Sequence, residues 1–508
     1  MKRTVTLLVA LALAMSMLAG ASAEAEPVPL EIYVVTPWVT SELPPPEEDI
    51  YKQYLDEKFG CDVTLSYSAD GETTLLTRLT ANNPPDLISF GTFASFWKFY
   101  EQGALLDDWT PYMDQLQPFV QMMGEDQVEY FTRDGKVTAM GTQPGAQAYA
   151  WMIRQDWLEN LGLEMPTNFD ELYDVLYAFT YNDPDGNGVD DTYGITSAGG
   201  GKSVGEISQL ILFMGHDNWH VDESGAVSHP VLNGVYQEYL DFVKKLYDAG
   251  LIDPNWYTQG WEERKSELFA GKYGMCWYPP DALLDENRVA RRDTVADEWE
   301  WWTILPMFSG KLPSMSIVGN SILSVSPQCA QDEAKMQVVI DMLNTFITPN
   351  DEYYELRRSA NIDGTFMTRN GDGTVYLWRD YENYPYKQLG SQEGSYIACA
   401  VYGQVFGTYS DGYFGGETPE PDAHVQRMME LVGQANAMER WSAESQFLAL
   451  DATTLSEVDM VLQEFTINYI MGADTDYEAF VSRWLDAGGQ DLLDDVTEQF
   501  IQWGFIEG

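Results

Sequence analysis

The sequence predicts an α/β protein of at least two lobes, and three observations point there. The chain has 508 residues, more than a single hydrophobic core usually serves. Its hydrophobic fraction of 45% with 13% aromatics supplies ample material for burial and excludes a disordered chain. Short β-rich runs also alternate with runs of helical spacing, the pattern of a mostly parallel sheet covered by helices.

Taken in order, the elements begin with an export signal. Lys2 and Arg3 precede a mostly apolar run over 4–18, and Ala21-Ser22-Ala23 place small residues where a signal peptidase cuts. Residues 1–23 are therefore expected to be removed, because the run is too short to span a bilayer as a helix. No cysteine follows the run, so no lipid-anchor cysteine is expected, and the mature chain is expected to be exported, soluble and without a transmembrane helix. Residues 30–35 are β-rich, and 49–59 show helical spacing after a Pro44-Pro45-Pro46 turn. Residues 63–67 read as a strand, 73–81 as a helix, 86–90 as a strand and 93–102 as an aromatic helix. Ligands of such sheets sit beyond the carboxyl ends of the strands, which draws attention to Thr36-Pro37-Trp38 and Phe90-Gly91-Thr92-Phe93.

Charge and cysteine usage exclude several functions. Against 80 Asp and Glu stand 28 Lys and Arg, a net charge of -52. Nucleic acids and anionic membranes need a basic footprint that this chain lacks. Cys61, Cys276, Cys329 and Cys399 are scattered, with no CxxC pair and no zinc spacing. They allow three pairings or buried free thiols.

The sharpest local motif is Asp183-Pro184-Asp185-Gly186-Asn187-Gly188-Val189-Asp190-Asp191. It follows the EF-hand order of oxygen donors, with Asp183, Asp185, Asn187, the Val189 carbonyl and Asp191 at positions one, three, five, seven and nine. Glycine at position six permits the tight turn. Position twelve is Gly194 rather than the bidentate Glu of a sensor, so structural Ca²⁺ is expected and signalling is not. The plainer alternative is an Asx-rich surface turn.

Several runs resemble the extracellular solute-binding proteins of ABC importers. Pro85-Asp86-Leu87-Ile88-Ser89-Phe90 and Gly103-Ala104-Leu105-Leu106-Asp107-Asp108 are similar to that family's first lobe. Asp134-Gly135-Lys136-Val137-Thr138-Ala139-Met140 resembles its D-G-K-x-Y strand, with Thr138 at the usual Tyr. Arg154-Gln155-Asp156-Trp157-Leu158 resembles the start of its second lobe. Pro166-Thr167-Asn168-Phe169-Asp170-Glu171-Leu172 resembles a P-x-T-x-D-E-L helix start, with Asn168 replacing a Thr that caps equally well. Gly250-Leu251-Ile252-Asp253-Pro254 and Phe269-Ala270-Gly271-Lys272-Tyr273-Gly274-Met275 are further landmarks. The large carbohydrate-binding lipoproteins of Gram-positive importers are the nearest in pattern, with maltose-binding protein a distant cousin.

The resemblance implies a periplasmic-binding-protein-like fold, two α/β lobes with a hinge and an interlobe cleft. Lobe one is expected over 27–146 and 319–376, and lobe two over 147–318 and 377–508. It implies hinge crossings around Gln147 and over 316–320, and it places the calcium loop in the second lobe. It also implies an ABC permease as membrane partner of a monomeric protein. Sugars present flat C–H faces ringed by hydroxyls, so a pocket needs aromatic platforms beside planar polar groups. The aromatic candidates are Trp38, Phe90, Phe93, Trp151, Trp277 and Tyr278, with Trp38 and Trp277 preferred; Trp299, Trp301 and Trp302 read as packing. The polar candidates are Thr92, Gln147, Arg154, Asp281, Asn320 and Asp363, although Arg154 can instead serve the helix start.

The expected function is capture of an extracellular carbohydrate, an oligosaccharide, by lobe closure for import. The alternatives are a secreted glycoside hydrolase with an Asp/Glu pair or a peptide-binding importer component. His216-Asp217-Asn218-Trp219-His220 is a poor zinc-protease motif, because Asp replaces the Glu base and Gly215 suggests a loop. His229 and His424 read as surface or satisfied core. Neither a GxSxG elbow nor a Walker loop occurs.

Overall fold

A computed structural model describes residues 26–36, 43, 45–47, 49–142, 149–280, 283–284, 302–314, 317–318, 321–346, 367–369, 375–377 and 423–508. Among these, two main sheets are built from β1 (Val28–Val34), β2 (Cys61–Tyr67), β3 (Leu87–Phe90), β4 (Met140–Gly141), β5 (Ala150–Arg154), β6 (Tyr193–Ile195), β7 (Tyr273–Tyr278), β8 (Trp302–Ile304) and β9 (Ile322–Val325). The first sheet has the order β2-β1-β3-β9-β4 and the second β8-β5-β7-β6.

The expectation of mostly parallel sheets needs correcting. In the first sheet β1 runs parallel to β2 and β3, as consecutive strand–helix units require. Strand β9 arrives from far along the chain and pairs antiparallel with both β3 and β4. In the second sheet β7 is parallel only to β6, and β5 is antiparallel to both β7 and β8. The run read as one strand from Asp134 to Met140 also divides. Asp134 (φ 51°) and Gly135 (φ 79°) turn a hairpin between Thr132–Arg133 and Lys136–Val137, and Met140 then opens a separate strand.

Side-chain chemistry explains why the helices start where they do. Asp70 accepts a hydrogen bond from Thr73 N at the head of helix Gly71–Thr80. Asn168 accepts from Glu171 N at the head of helix Phe169–Tyr181, and the Glu171 carboxylate accepts in return from Thr167 N and Oγ1. These are the reciprocal bonds of a capping box, moved one residue outward. Asp86 acts as a junction: it accepts from Glu31 N of β1 at 2.9 Å and from Lys335 Nζ of helix Glu333–Phe346 at 2.7 Å. Two glycines mark close approaches. A Cβ on Gly71 would lie 1.8 Å from Val35 O, and one on Gly274 would lie 2.1 Å from Phe179 Cδ2.

Each sheet organises its own core. The first gathers Phe90, Phe96, Phe99, Trp109 and Phe131 with Val339, Met342 and Leu343 of the late helix. The second gathers Trp151, Trp157, Phe179, Trp256 and Leu240 with Phe465, Trp484 and Phe500 from the C-terminal helices. Full burial of side chains of this size contributes about 1.5–3 kcal/mol each relative to exposure. A smaller cluster around Tyr273 and Trp302 covers the other face of the second sheet. The C-terminal segment is shared: Phe500 sits in the second core, whereas Phe447 and Trp503 pack against the first. Among the described residues no helix is long and apolar enough to cross a membrane. Cys61, Cys276 and Cys329 are buried free thiols, pushed up by burial to about 11, about 12 and about 12. Cys399 lies outside the described residues.

Candidate functional site

The carboxyl ends of the strands carry the features a ligand would meet. In the first sheet β3 ends at Phe90, and Gly91 N donates to Thr36 Oγ1 at 3.1 Å. Thr92, exposed, caps helix Phe93–Glu101 by accepting from Ser95 N. The pocket role expected of Phe90 and Phe93 is corrected here. Phe90 is fully buried against Phe96 and Phe99, and Phe93 is 7% exposed, wedged between Trp97 and Tyr130. Every residue of β3 is buried because the strand sits mid-sheet under this helix.

In the second sheet β5 and β7 align Trp151 with Trp277 and Ala150 with Tyr278. Trp151 is fully buried, its rings 5.6 Å from Trp277, and its Nε1 donates to Gln209 O. It supports a site from beneath and does not wall one. Arg154 is likewise removed from the pocket. Its Nε and Nη2 bind the two Asp156 oxygens at 2.7 and 2.5 Å, and its guanidinium lies 4.4 Å over Trp157 and 5.8 Å over Trp302. A planar fork that is 3% exposed and pairs bidentately is a helix-start clamp.

Trp277 and Tyr278 are successive residues and therefore face opposite sides of the sheet. On one side Tyr149 stacks on Trp277 at 6.0 Å and 26° and keeps 42% of its surface exposed. On the other side Trp261 stacks on Tyr278 at 5.6 Å and 12° and keeps 41% exposed. Among the described residues Tyr149 and Trp261 are exposed aromatics at this strand end, and neither is among the candidates expected from the sequence. Tyr149 was legible as the partner of Trp151 two residues on, which shares its face of the strand. Trp261 was legible from the helix Trp261–Phe269, whose return to β7 brings its first residue back to the strand's carboxyl end. The parallel neighbour β6 ends at the same side. There Gly199 N, Gly200 N and Gly201 N bond Trp256 O, Gln259 O and Tyr257 O. Lys202 and Tyr257 then face Leu455, Asp459, Met460 and Gln463 across an open groove of about 800 Å³.

Three passages of the chain are tied together between the two cores. Gln127 Nε2 donates to Thr142 O at 3.0 Å and to Ile317 O at 2.7 Å. Ile317 N donates to Gln446 Oε1, Gln446 Nε2 donates to Ser314 Oγ, and Tyr130 Oη donates to Gln446 O. The passages at Thr142, at Ser314 and Ile317, and at Gln446 form a triple crossing. Trp38, Gln147, Asp281, Asn320 and Asp363 lie outside the described residues.

The acidic loop folds as a chain of Asx turns. Asp183 (φ 46°) accepts from Gly188 N, Asp185 accepts from Asn187 N and Nδ2, and Asn187 Oδ1 accepts from Val189 N at 2.7 Å. Asn187 Nδ2 also reaches Asp191 Oδ1 at 3.3 Å. Burial, with Asp183 and Asp191 nearby, holds the Asp185 carboxyl above the ordinary range. Asp183 Oδ1 is buried without a hydrogen-bond partner among the described residues. An orphaned carboxylate oxygen facing clustered carboxylates fits a cation. Among the described residues no three His, Cys, Asp or Glu side chains form a metal cage by themselves, so the Asn187 amide and Val189 carbonyl would have to contribute.

The histidine motif is aromatic packing. His216 and His220 stack at 3.8 Å and 4°, His216 lies 4.2 Å from Trp441, and His220 Nδ1 bonds Asn218 O. Face-to-face rings cannot direct their nitrogens at one metal. His229 caps helix Pro230–Asn233 and lies between Trp219 and Trp484. The side chain of His424 is outside those described.

Two sheets with separate cores, joined by a triple crossing, define a two-lobe α/β protein. The chain belongs to the family of bacterial extracellular solute-binding proteins, whose sequence profile matches residues 44–349. It is 23% identical over 471 residues to the polygalacturonan/rhamnogalacturonan-binding protein YtcQ of Bacillus subtilis, covering 87% of this chain and 85% of that one. It is 28% identical over 251 residues to lipoprotein LipO of the same organism, 48% of this chain and 49% of that protein, so the chain spans about half the length of LipO. The fold is similar to that of the Streptococcus pneumoniae ABC-transporter substrate-binding protein FusA, solved as an EF-hand mutant with fructo-nystose. That match has a TM-score of 0.64 at 16% identity, over 94% of this chain and 99% of that one.

Proposed function

We propose that this protein captures an extracellular oligosaccharide between its lobes and presents it to the permease of an ABC importer. The single observation that carries the reading is Tyr149 stacked on Trp277 at the carboxyl end of β7, with 42% of its surface exposed. A half-exposed ring backed by a buried one offers a rigid flat face to sugar C–H groups at little entropic cost. Ligand held by both lobes only when they close shifts the population toward the closed form, which the permease reads. YtcQ, named for binding polygalacturonan and rhamnogalacturonan, and FusA, named as a fructooligosaccharide transporter's substrate-binding protein, support the ligand class. The lobe divisions expected above, near 146 and 318, go with this reading, as do Thr92, Trp277 and Tyr278 as wall or support residues. A monomer exported and free of a membrane span is part of the same proposal.

The same proposal gives Asp183, Asp185, Asn187, Val189 and Asp191 a structural Ca²⁺. The ion would supply hard-cation charge neutralisation, and FusA, whose solved form is described as an EF-hand mutant, supports it. Turning the Asn187 amide would present its oxygen in place of its nitrogen to the loop centre.

The test is a thermal-shift screen against neutral oligosaccharides, uronate oligomers and short peptides, in Ca²⁺ and in EDTA. A sugar that raises the melting point with concentration and is recovered chemically intact supports capture. A cleaved sugar, or a response to peptides alone, sinks the reading.

A further inference from the structure

Arg133, on the hairpin that follows helix Glu125–Tyr130, has no acid to pair with among the described residues. In a chain with 80 Asp and Glu against 28 Lys and Arg, an unpaired guanidinium is the exception. Its Nη1 donates to Thr132 O, the carbonyl of the preceding residue, at 2.7 Å. Its Nε and Nη2 are buried and have no hydrogen-bond partner among the described residues. Burial lowers the group from its ordinary 12.5 to about 10, which leaves it charged at neutral pH. Its neighbours are aromatic: the guanidinium lies 3.8 Å over the Trp503 ring and 6.0 Å from that of Trp97. Trp503 Nε1 is likewise buried without a partner among the described residues.

These contacts join the two lobes. Phe93 and Trp97 pack in the first core, and Trp503 meets them edge-on at 6.3 and 6.0 Å. Trp503 follows the last helix, Gln490–Gln502, whose Phe500 is fully buried in the second core. Phe505 packs against the second core again, so the final turn reaches into the first lobe and returns. Cation–π attraction holds the stacked faces together. Stripping water from an unpaired guanidinium opposes it, and that water is regained only if the faces part. We infer that Arg133 and Trp503 form a metastable seam between the lobes, a positioning contact that sets how readily they rotate apart and so tunes ligand affinity without touching ligand. The inference goes beyond the capture reading and rests on it only for the effect on affinity.

The two residues act in opposite senses, which gives the test its sign. Arg133→Met keeps the side-chain length, removes the buried charge and should favour the arrangement described here. Trp503→Ala removes the stacked face and should disfavour it, with Trp503→Phe restoring most of the wild-type behaviour. Spin labels on Glu101→Cys and Glu238→Cys, both exposed positions, report the distance between the lobes of the full mature chain by pulsed electron resonance. The background carries Cys399→Ser, since Cys61, Cys276 and Cys329 are buried. Arg133→Met should narrow the wild-type distance distribution, and Trp503→Ala should broaden or shift it. Titration with fructo-oligosaccharides and oligogalacturonides should show the two variants moving affinity in opposite directions, by about threefold or more each. Distances that move the same way in both variants, or in neither, overturn the seam. A loss of melting temperature in Trp503→Ala with distances unchanged reduces that residue to core packing and overturns it as well. Should no sugar bind while the distances respond as expected, the capture reading fails and the seam stands.

Discussion

Tyr149 and Trp277 stack on each other but stand in different surroundings. Tyr149 is 42% exposed, so Tyr149→Ala removes a contact surface and leaves little void. Sugar affinity is expected to drop about tenfold while the urea midpoint stays within error. Trp277 is 7% exposed within the second core, and Trp277→Ala should cost about 3–5 kcal/mol of stability as well. Denaturation curves of the two variants separate platform from support; equal stability losses would contradict the assignment. Asp183 makes a parallel case at the acidic loop. Asp183→Asn keeps an acceptor for Gly188 N but weakens the cation site, so the rise in melting temperature on adding Ca²⁺ to EDTA-treated protein should disappear. A calcium response that persists unchanged would leave the loop as a turn only.

Elements were legible where local chemistry decides them. The strands and helices through residue 101 fall within a few residues of expectation, because alternation, Asx caps and glycine turns act over short range. Asn168 illustrates this: it replaces a Thr in the resembled motif, yet bonds Glu171 N all the same. Asn168→Ala should cost about 1 kcal/mol, whereas Asn168→Thr should be nearly neutral, a difference that urea titration resolves. Long-range pairing was not legible. Nothing local in Ile322–Val325 says that it inserts antiparallel between β3 and β4. The pocket residues failed for a related reason. Phe90 and Arg154 stand at strand ends in the sequence, but depth is set by what the rest of the chain lays over them, here the helix after Phe90 and the Asp156–Trp302 surroundings of Arg154. Gly274 shows the converse, a single position where sequence spacing is enforced by packing. With Phe179 already 2.1 Å from where its Cβ would be, Gly274→Val should abolish folding or lower the melting point by many degrees.

For the whole molecule, two histidines set a direction with pH. Burial, with His220 nearby, lowers His229 to about 3; burial, with His220 and Lys311 nearby, lowers His216 to about 4. Both values lie below the 6.5 expected of the unfolded chain. The unfolded state therefore binds protons first, and their contribution to stability is complete above 6.5 and declines as pH falls toward 4. Denaturation midpoints should drop through that window, and a His216→Asn, His229→Asn variant should show a shallower drop; an identical slope would remove the histidines from the account. The arrangement of the first sheet bears on a different question, the order in which the chain can finish folding. Strand β9 lies between β3 and β4, and Phe447 and Trp503 complete the first core. A polypeptide emerging N-terminus first must hold β3 with an open edge until residue 325 has followed, and cannot seal that lobe until the last turn of the final helix arrives. Such a high separation between partners slows folding. A nascent chain of this design stays threadable for as long as it is still being made.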